Sequence, residues 1–181
     1  MAAPDKIMIV RHAEKPPLAG VTADGAADKN SLSVRGWQRA GALVPFFTRP
    51  SAPGVDVPTY VYAAKSDADD DDAGHGVRSI ETVTPLVDKL AATHPEVSLN
   101  THFGVGDESA LLSDVESRAG IILIAWEHHH IPLIGAKLSS DVPDKWPETR
   151  FDLVWVFLRC GGGGYIFSQV PQLLLGGDEA A

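Results

Sequence analysis

The sequence predicts an α/β protein, a three-layer α/β/α sandwich with a mostly parallel central sheet and an antiparallel edge hairpin. Three observations predict it. Apolar, largely β-branched runs at 6–10, 59–64 and 121–125 read as short buried strands. Segments of helical apolar spacing separate these runs, the alternation that builds a parallel sheet between helical layers. Near the end, 151–159 and 165–170 flank four glycines at 161–164, the pattern of a hairpin.

The elements follow in order. Residues 6–10 form the first strand, and a Pro/Gly/Ala/Asp-rich loop at 16–31 follows, long enough for a flap. In 32–47, Val34, Trp37, Gly41 and Val44 recur at helical spacing with Ala40, Leu43 and Phe47 beside them. Ser31 or Ser33 supplies the cap of this amphipathic helix. The turn-rich stretch 50–58 leads into the strand at 59–64. Asp67 and Asp69 to Asp72 make 67–76 a solvated acidic loop. A calcium-loop register starting at Asp67 would put Asp72 where glycine is required and Arg78 where glutamate is required, so that reading fails. A helix is expected over 79–94, interrupted in its first turns by Pro85. A short strand at 99–103, a helix at 109–118, the strand at 121–125, a helix at 131–138 and a loop at 139–149 complete the chain. No internal repeat is present, and 181 residues fit one domain spanning 1–181.

Composition narrows the partners. A formal charge of −9 argues against a nucleic-acid backbone, whose recognition depends on lysine and arginine. An anionic substrate would then need a local positive pocket, which Arg11, Lys15 and Arg78 could form. One cysteine, Cys160, rules out an intrachain disulfide and fits a reducing, cytoplasmic location. The first residues lack the pattern of a signal peptide. No apolar run approaches the roughly 20 residues of a membrane span. Oligomeric state is left open.

Two stretches carry the chemistry: "RHAEKP" at 11–16 and "AWEHHHIP" at 125–132. Each delivers a histidine just beyond a predicted strand, where ligands bind in open α/β sheets. Arginine forks pair with phosphate oxygens, and a neutral imidazole can attack phosphorus. With Arg78 between them in sequence, the set resembles the histidine phosphatase superfamily, whose fold is that of phosphoglycerate mutase. The match continues in Leu32-Ser33-Val34-Arg35-Gly36-Trp37-Gln38-Arg39-Ala40, against an "LSxxGxxQA" pattern, and in Gly76-Val77-Arg78-Ser79-Ile80-Glu81-Thr82. The tail "VPQLLLGGD" at 170–178 is similar to an ending of short bacterial members. Ala13 departs from the family's Arg-His-Gly.

The resemblance implies a metal-independent phosphomonoester hydrolase acting through a phosphohistidine on His12. Arg11, Arg78 and His128 would bind the phosphoryl oxygens. No cofactor and no metal are implied. The substrate class is a phosphorylated small molecule or a phosphoprotein. For the general acid, the resemblance points to the region 104–109, hence Glu108, then Asp107, with Glu127 as the candidate beside His128. Neighbours on an extended chain point to opposite faces, which counts against Glu127. Two other readings stand beside this one. The first is a non-catalytic module that binds phosphorylated ligands or a protein partner. The second is a metal site on His128, His129 and His130, although consecutive histidines rarely all hold one ion. Trp126, Trp146 and Trp155 read as core or pocket wall. Glu14 and Lys15 line the pocket mouth or cap a loop.

Overall fold

The computed structural model describes residues 3–66 and 74–180; the acidic run Asp67 to Asp72 lies outside them. The elements run β1 Pro4–Arg11, β2 Gly20–Val21, β3 Ala27–Asp28, α1 Val34–Thr48, β4 Tyr60–Ala63 and α2 Gly74–Ala91. They continue with β5 Leu99–Asn100, α3 Glu108–Val115, β6 Gly120–Trp126, α4 Ile131–Leu138, β7 Leu153–Arg159 and β8 Tyr165–Pro171. Six strands form one sheet in the order β5-β4-β6-β1-β7-β8. The four from β5 to β1 run parallel. β7 is antiparallel to both its neighbours and closes the far edge with β8. This is the expected mixed sheet with its edge hairpin.

Side-chain alternation assigns the two faces. Ile7 and Ile9 point to the face that holds Leu111 and Val115 of α3 and Ile131 and Ile134 of α4. Met8 and Val10 point the other way, to Leu43 and Phe47 of α1 and Val83 and Leu86 of α2. Strands apolar on both faces can lie only between helical layers.

Several boundaries shift for local reasons. Helix α1 is capped by Ser33, whose Oγ accepts from Gly36 N–H at 3.0 Å. Helix α2 begins earlier than expected and runs unbroken through Pro85 for 18 residues. Proline removes one intrahelical hydrogen bond. The apolar face of Val83, Leu86, Val87 and Leu90, all buried against the sheet, holds the helix on both sides of it. β5 stops after Asn100 because the Asn100 Oδ1 accepts from His102 N–H at 2.9 Å and turns the chain. The loop at 16–31 contains a small antiparallel pair, β2 with β3, that the sequence reading did not anticipate.

Gly36 explains one motif position. A Cβ there would meet the Glu14 carbonyl oxygen at 2.5 Å, so only glycine lets α1 lie against the segment that leaves β1. Gly36→Ala is therefore expected to lower the thermal midpoint despite alanine's better helix propensity. An overpacked contact of this kind costs about 1–3 kcal/mol. A melting curve unchanged or raised against the parent would contradict this.

Candidate active site

The strand order reverses between β1 and β6. The chain leaves β1 for α1 on one face and leaves β6 for α4 on the other. Diverging exits leave a crevice at the strand ends, the usual ligand position in such sheets. His12 follows β1 and His128 lies just beyond β6. Their rings stand edge to face with centroids 6.4 Å apart.

His12 is held closely. Its N–H donates to the carbonyl of Trp126 at 3.1 Å, extending the parallel ladder past the strand. Its Nδ1 lies 2.8 Å from the carbonyl oxygen of Ala13. A carbonyl only accepts, so Nδ1 carries the proton and a neutral ring has its lone pair on Nε2. Ala13 in place of glycine costs no backbone strain, because among the described residues only Leu173 is a non-glycine with positive φ. The Ala13 N–H donates to Thr82 Oγ1 at 2.7 Å, and that hydroxyl donates to the carbonyl of Arg78 at 2.6 Å. Thr82 thus ties the segment that leaves β1 to the first turns of α2. The sequence reading gave it no role, although its spacing of four from Arg78 was visible. Gly76 permits the close approach of α2 to the chain beyond β4, where a Cβ would meet the Lys65 carbonyl at 2.1 Å.

Both arginines are buried, Arg11 at 2% and Arg78 at 8% exposure. Arg11 Nη1 donates to the carbonyls of Glu148 at 2.5 Å and Arg150 at 3.4 Å, and its Cζ lies 3.8 Å from the Phe151 ring centre. Its Nε is buried with no hydrogen-bond partner among the described residues. Burial lowers the Arg11 pKa to about 10; Glu127 and Glu148 oppose the shift and the Arg78 charge adds to it. Arg78 Nη1 reaches the carbonyl of Asn30 at 3.4 Å. His128 is pulled down to about 4, by burial first and then by the Arg11 charge, against the opposing pull of Glu127. Glu127 Oε1 lies 2.5 Å from His128 Nδ1, off the hydrogen-bond axis.

The other carboxylates expected from the sequence are committed elsewhere. Glu108 Oε1 accepts from Gly106 N–H at 2.9 Å, Trp126 Nε1 at 3.2 Å and His130 Nδ1 at 2.8 Å. Burial pushes its pKa up, and these donors more than reverse the effect. Asp107 Oδ2 accepts from Gly104 N–H at 3.0 Å and closes the turn before α3. Glu127 is 2% exposed and stays with His128, since the chain turns after β6 rather than remaining extended. A cleft of about 610 Å³ opens beside Arg11 and His128, lined also by Lys15, Pro16, Glu148 and Phe151 among others; His12 and Arg78 are not part of its lining. A side cavity of about 310 Å³ shares His128, His129 and Glu148 and reaches Trp146. Trp126 and Trp155 are core residues. Glu14 turns instead toward α1. Phe151 and the carbonyls at 148 and 150 had no sequence signal, because main-chain acceptors have none.

Solved structures share this architecture. The protein histidine phosphatase SixA, complexed with tungstate, superposes with a TM-score of 0.57 at 15% identity, over 92% of this chain and 97% of its own. The fold is that of the histidine phosphatases and phosphoglycerate mutases. A Plasmodium falciparum phosphoglycerate mutase matches the histidine phosphatase fold of this chain at TM-score 0.52 and 10% identity, over 100% and 99% of the two chains. An Entamoeba histolytica phosphoserine phosphatase, in complex with 3-phosphoglyceric acid, gives 0.51 at 12%, over 94% and 99%. The sequence matches no protein-family model and no curated protein.

The His128 shift has a consequence for stability. Its folded pKa lies below the unfolded 6.5, so between roughly pH 6.5 and 4 the unfolded chain binds more protons. Stability from this group is full above 6.5 and is lost as pH falls toward 4. Thermal melts across that window should show the loss, and His128→Gln should flatten it. Equal slopes in both proteins would assign the loss to other groups.

Proposed function

We propose that the chain is a phosphatase that hydrolyses phosphomonoesters through a phosphohistidine on His12. The observation that carries this reading is the Nδ1 contact to the Ala13 carbonyl, which puts the lone pair of the neutral ring on Nε2, the nitrogen that attacks phosphorus in line. As the N–P bond forms, the bond to the leaving oxygen breaks and that oxygen takes a proton. Water then attacks the phosphorus, the N–P bond breaks and phosphate departs. Arg11 and Arg78 stabilise the equatorial oxygens, where positioning and charge supply most of the catalysis. The bound anion raises the His128 pKa, so this histidine joins them as a charged donor.

Of the three acid candidates, Glu127 fits best. Its Oε2 accepts from His129 N–H at 2.7 Å, but its Oε1 is not hydrogen-bonded among the described residues and lies against His128. Glu108 Oε1, by contrast, is held by Gly106, Trp126 and His130, and Asp107 by Gly104. A leaving group that departs easily needs no acid. Glu127→Gln should therefore slow an alkyl phosphate by roughly 10²–10⁴ while sparing p-nitrophenyl phosphate. Equal loss on both substrates would remove Glu127 from that role.

A phosphorylated small molecule or a phosphoprotein suits the open cleft, and a cytoplasmic location belongs to the same proposal. One observation favours a metal reading: Glu127, His128 and His129 offer ligand atoms within 4.8 Å of one another. Arg11 weighs against it, because its charge already disfavours a positive His128 and would repel a cation in the same way. Hydrolysis of p-nitrophenyl phosphate with EDTA present, by the parent and by His12→Ala, tests the whole reading. Chelator-resistant activity that His12→Ala abolishes is expected. Loss with EDTA would favour the metal site, and no activity in the parent would favour a phospho-ligand-binding module.

A further inference from the structure

Behind the cleft lies a second charged cluster that the proposed reaction does not use. Arg39 on α1 is 2% exposed, and its guanidinium has all five N–H groups engaged. Nε donates to both oxygens of Glu14 at 3.1 Å, and Nη2 adds a bond to Glu14 Oε1 at 2.8 Å. Nη1 donates to Gln172 Oε1 at 2.9 Å and to Asp178 Oδ2 at 3.1 Å, and Nη2 to Asp178 Oδ1 at 2.8 Å. Asp178 in turn accepts from the Leu174 and Leu175 N–H groups at 2.8 and 3.0 Å, which folds the C-terminal tail around it. Arg35 Nε also reaches Glu14 Oε1, at 3.2 Å, from a half-exposed position.

Glu14 is the member that matters to the site. It stands two residues after His12, and its charge is felt at Arg11. The cavity it lines shares Thr149 and Phe151 with the cleft. An unscreened carboxylate there would repel a phosphoryl group. We infer that Arg39, locked by Asp178 and Gln172 of the C-terminal tail, is a positioning residue that neutralises Glu14 and so protects the affinity of the site for phosphate. The inference rests on the phosphatase reading. The tail thereby acts on the site without touching substrate.

The test is tungstate binding by calorimetry on the full chain, with the melting temperature of each protein measured alongside. Arg39→Met should weaken tungstate binding roughly tenfold, the size of effect one unscreened charge exerts inside a protein. Adding Glu14→Gln should recover most of that affinity while leaving the melting temperature no higher than in Arg39→Met. A double variant as weak as the single one would make Arg39 a structural brace and overturn the inference. If Arg39→Met does not fold, Arg39→Lys takes its place. It keeps the charge and loses the fork, so it should melt earlier yet hold tungstate within about twofold of the parent. Affinity that falls tenfold in Arg39→Lys would overturn the inference too. A parent that does not bind tungstate would sink the phosphatase reading and this inference with it. A parent that binds, with no recovery in the double variant, would sink this inference alone.

Discussion

Everything at the candidate site hangs from β1, and β1 is the strand with least freedom. It is paired to β6 on one side and β7 on the other, and four of its residues, Ile7 to Val10, are fully buried. A strand fixed in this way has one register, because a slip of one residue would exchange its two apolar faces. The ladder continues one step past the strand, where His12 N–H reaches Trp126. The histidine therefore inherits the rigidity of the sheet while lying outside it. Arg78 is brought to the same place by a different element, through the Thr82 hydroxyl that Ala13 and Arg78 share.

Two buried arginines show opposite solutions to the same problem. A buried guanidinium must have its donors satisfied, yet a site for an anion must not have its charge cancelled. Arg39 is satisfied by two carboxylates and an amide, and its charge is consumed within the protein. Arg11 is oriented by two main-chain carbonyls and an aromatic ring, which fill donor positions without supplying a counter-charge. On the proposed function, that difference, more than the −9 of the whole chain, decides which arginine would receive an anion.

The sheet and its helices were legible because their signals are local and repeated. The helix expected at 131–138 matches α4 at both ends, and the glycine hairpin lies where the sequence placed it. The errors arose where another interaction, distant in one case and local in the other, outweighed the sequence signal. Pro85 reads as a helix breaker, but an apolar face packed on both sides of it outweighs one lost bond. Leu99 to Phe103 reads as a strand, but a single asparagine side chain ends it early. Within the site, residue identity marked His12, Arg11, Arg78 and His128 for attention. It could not show that Glu108 spends its carboxylate on Trp126 and His130, because those partners meet only in three dimensions. Nor could it link Asp178 to Glu14, which lie at opposite ends of the chain.

The central position of β1 also has a cost in time. It is made before its partners β6 and β7, which end at Trp126 and Arg159. At about 5–20 residues per second, a ribosome takes roughly 7–30 s to supply both. Until β6 emerges, the run from Ile7 to Val10 has neither of its edges paired. Such a segment is prone to intermolecular association while it waits. The residue arrangement that makes the folded site rigid thus makes the nascent chain dependent on whatever shields its first strand during synthesis.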